Sequence, residues 1–142
     1  MVAIEMKYLG DLHCEAVHGP SGTKLDTDAP KDNQGRGESF SPTDLVATAL
    51  GTCILTTMGI LARTLNIDMT GATASTTKEM VTTPTRRIGR LAVTLHMPAG
   101  IAAENRIKLE RAAHTCPVHK SLHPDVEAPI IFHWGDEPAA AH

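Results

Sequence analysis

Apolar residues follow two different periods along this chain. Near the N-terminus Val2, Ile4, Met6 and Tyr8 share one parity, the two-residue repeat of a strand with one apolar face. The turn cluster HGPSGT at 18–23 separates this stretch from TKLDTD, which reads as its partner strand. Residues 29–40, APKDNQGRGESF, are polar and rich in Gly, Pro, Asp and Asn. They read as a loop long enough to be functional. A sharp boundary follows. Ser41 is placed as a helix N-cap, Pro42 suits the first helical position, and Asp44 stands three residues after the cap. That is capping-box spacing with Asp in place of Glu. The helix is expected to run to about residues 63–65, and it is uncharged from Leu45 to Ala62.

Strand alternation returns in GATASTTKEMVT (71–82) and RRIGRLAVTLHM (86–97), a predicted hairpin. Residues 101–115 carry Ile101, Ile107, Leu109 and Ala112/Ala113 at roughly helical spacing and predict an amphipathic helix. Pro117 ends it and starts a short helix. VEAPIIFHW at 126–134 predicts a last strand, with Pro129 marking an edge or bulge. The tail, 135–142, is expected to be loose. The order of elements is that of an α+β fold.

The helix at 41–64 has no polar face. Within its uncharged run Leu45–Ala62, four threonines (Thr48, Thr52, Thr56, Thr57), two glycines and the lack of flanking aromatic anchors separate it from a membrane span. It reads instead as the centre of a core. A few short strands from one chain cover such a helix poorly, so a homodimer with a large interface is expected.

Composition narrows the function. The chain has 142 residues, the length of one domain, and a net charge of −3. With no Lys/Arg cluster longer than Arg86-Arg87 and few aromatics, nucleic acid is not an expected partner. The N-terminus lacks a basic segment followed by an apolar one, which points to the cytoplasm. Three cysteines there are buried small hydrophobes, metal ligands or redox thiols, rather than a disulfide scaffold.

Cys116 precedes Pro117 and so sits at or beside a helix N-cap, where negative charge is favoured. His114, His119 and Lys120 add positive potential. Local reasoning makes Cys116 either a reactive thiol or a buried cysteine that happens to precede proline. Cys53, between Thr52 and Ile54 in mid-helix, reads locally as core packing. His114, Cys116, His119 and His123 offer usable metal-ligand spacings. They form a single knuckle where structural zinc sites draw on two, so no metal is expected.

The stretch SPTDLVATALGTC (41–53), followed later by CPVHKSL (116–122), resembles the OsmC/Ohr family of osmotically inducible protein C and organic hydroperoxide resistance proteins. The order of elements is similar over residues 1–134. The resemblance implies a single OsmC-like domain over residues 1–142. In that fold two long apolar helices lie at the centre of an intertwined homodimer, wrapped by antiparallel sheets. It implies a thiol peroxidase that needs no cofactor or metal. Cys53 then corresponds to the peroxide-attacking thiol and Cys116 to the resolving one. The substrate is an organic hydroperoxide, and the reductant is a dithiol such as a protein-bound lipoyl group.

Two positions depart from the family's active peroxidases. Their acid stands where this chain has Thr43, and here it is Asp44, one position on. Their thiolate-stabilising arginine comes from the N-terminal strands, and this chain has no arginine before Arg36. Arg36, held by Asp44, is the expected substitute, with His13 as the other candidate. The competing expectation is a module of the same fold that binds a small apolar or thiol-reactive ligand without turnover.

Overall fold

A computed structural model describes residues 1–136. The chain forms two compact units, Met1–Val46 and Ala47–His142. Of the tail expected to be flexible, 135–142, residues 137–142 lie outside the described residues.

In the first unit, β1 (Ile4–Gly10), β2 (His13–His18) and β3 (Lys24–Asp28) form an antiparallel sheet in that order. The N-terminal stretch is thus two strands. Asp11 and Leu12 turn between them with φ of 52° and 61°, the positive values that a tight two-residue hairpin turn requires. Register puts Met6 opposite Ala16, Tyr8 opposite Cys14, Ala16 opposite Leu25 and Cys14 opposite Thr27. One sheet face therefore carries Ile4, Met6, Tyr8, Cys14, Ala16 and Leu25. Met6 and Tyr8 expose 70% and 63% of their surface. A three-stranded sheet with its apolar face open has little to stabilise it.

The loop that follows contains a short 3-10 turn, Lys31–Asn33, and is tied back to the strands. Ala29 N–H donates to Leu12 C=O, Asp28 N–H to Phe40 C=O, and Ser39 Oγ to Asp26 C=O. Helix α1 spans Pro42–Thr64. Its capping box is complete, because Asp44 N–H donates to Ser41 Oγ at 3.0 Å and Ser41 N–H donates to Asp44 Oδ2 at 2.9 Å.

In the second unit, β4 (Thr73–Val81) pairs antiparallel with β5 (Arg87–Met97), as the alternation predicts. The last strand, β6 (Ile130–Trp134), pairs with β5 in parallel. The sheet is therefore mixed rather than wholly antiparallel, because the two helices α2 (Ala103–Ala113) and α3 (Pro117–Ser121) carry the chain back before β6 begins. Leu91, Val93 and Leu95 of β5, alternating with less buried positions, are fully buried. So are Leu50, Ile54 and Met58 of α1, at helical spacing. Each such burial contributes about 1.5–3 kcal/mol. Gly51 brings α1 close to β4: a Cβ there would stand 2.8 Å from Thr76 Oγ1. Trp134 anchors β6, donating from Nε1 to Glu110 Oε1 at 3.1 Å beneath the Arg106 guanidinium.

By length and composition α1 also passes as a membrane span, with 33% of its most apolar window buried. Its uncovered face carries Thr48, Thr52, Thr56 and Ile60, the last 66% exposed.

Candidate active site

Cys53 lies in the middle of α1, and Cys116 is the N-cap of α3. The fold brings them together, with the two thiols within hydrogen-bond reach. Cys116 is fully buried and Cys53 partly so, and both are unbridged. His119 N–H donates to Cys116 Sγ at 3.4 Å. Pro117 at the first helical position starts α3 and turns the next N–H groups, those of Val118 and His119, toward the sulfurs.

The two thiols are driven in opposite directions. Burial pushes Cys53 up, but hydrogen bonds from the Cys116 side chain, the Val118 N–H and the Thr57 hydroxyl outweigh it, and its pKa is lowered. Thr57 Oγ1 stands 4.0 Å from the sulfur, one helical turn on. Burial raises Cys116, and so does its bond to Cys53, against the opposing N–H groups of His119 and Val118. Beside the family resemblance, which implied Cys53, local sequence reasoning favoured Cys116 as the activated thiol, at a helix N-terminus. The folded chain inverts this, since the same α3 terminus also serves Cys53 while Cys116 is deeper and acts as donor. Val118 and Thr57 were not singled out from sequence, although Pro117 and the four-residue spacing of Cys53 and Thr57 were there to find them.

The other two expected site residues lie in the first unit. Arg36 donates to Asp11 Oδ2 at 3.2 Å, so its guanidinium goes to the β1–β2 turn and not to Asp44. Asp11 is nearer in the fold because the loop folds back over that turn, and Asp44 is engaged by the Ser41 N–H. His13 Nδ1 lies 2.6 Å from Oδ1 of buried Asp28, whose Oδ2 accepts the Glu38 N–H at 3.2 Å. Around Cys116, His119 directs Nε2 at the Ala128 carbonyl at 3.1 Å. No group of three or more His, Cys, Asp or Glu among the described residues is placed to hold a metal ion.

A thiolate-prone cysteine beside a protonated buried one is equipped for attack on an electrophilic sulfur or oxygen, followed by disulfide closure. The model of the OsmC-like protein family matches residues 35–129, a span that contains both thiols. The chain belongs to the OsmC-like family. A candidate osmotic stress induced and detoxification response protein from Psychrobacter arcticus is 43% identical, with a TM-score of 0.88, over 94% of this chain and 96% of that one. An organic hydroperoxide resistance protein OsmC from Legionella pneumophila shares the fold at 20% identity and a TM-score of 0.70, over 93% of this chain and 96% of that one. The organic hydroperoxide resistance protein of Bacillus subtilis does so at 16% identity and a TM-score of 0.69, over 94% of this chain and 98% of that one. No curated protein sequence matches the chain.

Proposed function

We propose that this OsmC-like chain is a cysteine-based peroxidase that reduces organic hydroperoxides at the expense of a dithiol. The observation that carries the reading is the Cys53–Cys116 pair, two adjacent thiols with pKa values shifted apart. Fold relatives named organic hydroperoxide resistance proteins support it. The Cys53 thiolate attacks one peroxide oxygen. The O–O bond breaks, an S–O bond forms, and the alkoxide leaves as alcohol after taking a proton. Cys53 is then a sulfenic acid. Cys116 loses its proton and attacks that sulfur, giving a disulfide and water. A dithiol, with a lipoyl group as the favoured kind, restores both thiols by exchange.

Arg36 and Asp44 complete the proposed set, Arg36 as the cation that steadies the thiolate and Asp44 as its carboxylate partner. For this role Arg36 must leave Asp11. The working unit is proposed to be a cytosolic homodimer. The uncovered Thr48–Ile60 face of α1 and the open apolar face of β1–β3 are the surfaces that it would close. Both compact units would then serve one functional domain.

The test is consumption of cumene hydroperoxide with dihydrolipoamide. The reading requires turnover in the wild type, none in Cys53→Ser, and a trappable sulfenic acid in Cys116→Ser. The Arg36–Asp11 pairing favours one other reading, a ligand-binding module of the same fold without turnover. That reading stands if the wild type consumes no peroxide.

A further inference from the structure

The parallel register of β5 and β6 sets His96 beside His133. Both are on the exposed face of the sheet. Their ring centroids are 5.0 Å apart and the ring planes lie within 16° of each other. Among the described residues neither ring has a hydrogen-bond or ionic partner in the protein. Their neighbours on this face are Thr73, opposite His96 on β4, with Thr94 and Ile131 two residues back along the strands. Among the described residues no carboxylate or cation shares the row.

We propose that His96 and His133 form a two-imidazole chelate for a late first-row divalent ion of the Cu(II), Ni(II) or Zn(II) class. Imidazole suits these ions, whereas Mg(II) and Ca(II) demand oxygen ligands that the row does not offer. Two cis nitrogens, each about 2.0–2.1 Å from one ion, stand roughly 3 Å apart. Both rings are exposed, so rotation about their side-chain torsions brings one nitrogen of each to that separation. The strands hold the two Cα atoms fixed, so binding the second imidazole costs little backbone entropy. Two protein nitrogens leave the remaining positions to water beside exposed Thr73, the next residue in the row. The pair is separate from the thiols of the candidate active site and does not depend on the peroxidase reading.

The test is a Ni(II) titration of the full reduced chain at about pH 7.5, above the ~6.5 at which imidazole protonates. Ni(II) is chosen because thiols reduce Cu(II). The thiols and other histidines contribute the same background in every variant. His96→Asn and His133→Asn are each expected to weaken the tightest site at least about tenfold, and the double variant no further, because a chelate is lost with its first ligand. If the single variants match wild type, or their losses multiply as for two independent sites, the proposal is overturned. A readout on the wild type alone is paramagnetic broadening of ring signals. It should reach His96 and His133 at the lowest Ni(II) concentrations, and broadening that begins at other histidines would also overturn the proposal.

Discussion

Cys116 faces Cys53 as a side-chain donor that lowers the Cys53 pKa while its own is raised, so the buried thiol helps to ionise the less buried one. Cys116→Ala removes that donor while keeping the Val118 and Thr57 bonds. The Cys53 pKa is then expected to rise. Alkylation of Cys53 by iodoacetamide at pH 7 should slow by at least about threefold, since the thiolate is the nucleophile. The pH profile of alkylation should move to higher pH. Cys116→Ser keeps a hydroxyl donor and should stay closer to wild type. Equal rates in all three proteins would show that the bond does not govern Cys53.

Gly51 and Thr76 set how closely α1 approaches β4, and so where Cys53 is held. A Cβ at residue 51 would meet Thr76 Oγ1 at 2.8 Å and Ala74 Cβ at 3.9 Å. Thr76 is β-branched and has few ways to yield. Overpacking costs about 1–3 kcal/mol, while alanine gains about 1 kcal/mol in helix propensity over glycine. Gly51→Ala is expected to be net destabilising by up to about 2 kcal/mol, lowering Tm by up to about 4–8 °C. Adding Thr76→Ala should recover most of the loss, and a thermal melt of the double variant checks it.

The alternation and capping signals carried the start of α1 and most of the second unit. Ser41–Asp44, the β4–β5 hairpin and the Pro117 helix start are local devices, and local devices are legible in sequence. The β1–β2 turn was not, because Asp11-Leu12 lacks the Asn-Gly or Asp-Gly signature, and a leucine at φ 61° is accepted only where strand pairing imposes it. The parallel placing of β6 was also hidden, since a strand's own pattern does not name its neighbour's direction. The chemistry divides the same way. The family resemblance rests on the motifs around Cys53 and Cys116, but which thiol is activated depends on the tertiary meeting of α1 and α3. Arg36 pairs with Asp11 through the folding back of a loop, which composition does not encode.

His13 and Asp28 make stability depend on pH. The His13 pKa is raised, first by its hydrogen bond to Asp28 and also by the charges of Asp28 and Asp26, against desolvation and the opposing charge of Arg36. A histidine whose folded pKa exceeds its unfolded value contributes stability that is fully present below ~6.5 and is lost as pH rises through the folded value. Wild type should therefore lose Tm relative to His13→Asn as pH rises above about 6.5. The buried Asp28 carboxylate also accepts the Glu38 N–H, so the loss should include loosening of the 29–40 loop. Amide exchange at Glu38 should rise over the same pH range. A Tm difference that does not vary with pH would remove the linkage.

Arg36 separates a structural role from a kinetic one. Its side chain is 59% exposed and that of its partner Asp11 is 82% exposed. Exposed pairs of this kind are worth about 0–1 kcal/mol, so Arg36→Ala and Asp11→Ala should both melt close to wild type. Their kinetic effects should diverge. If Arg36 steadies the Cys53 thiolate after leaving Asp11, Arg36→Ala slows the oxidation of Cys53 by an organic hydroperoxide by about tenfold or more, corresponding to roughly 1.4 kcal/mol in the transition state. Asp11→Ala frees the guanidinium and should leave that rate unchanged or raise it. Arg36→Lys keeps the charge but not the planar fork, and should fall between wild type and Arg36→Ala. Single-turnover measurement of Cys53 oxidation in a Cys116→Ser background isolates the step. An unchanged rate in Arg36→Ala would take Arg36 out of the site and leave the Cys116, Val118 and Thr57 donors as the whole of the activation.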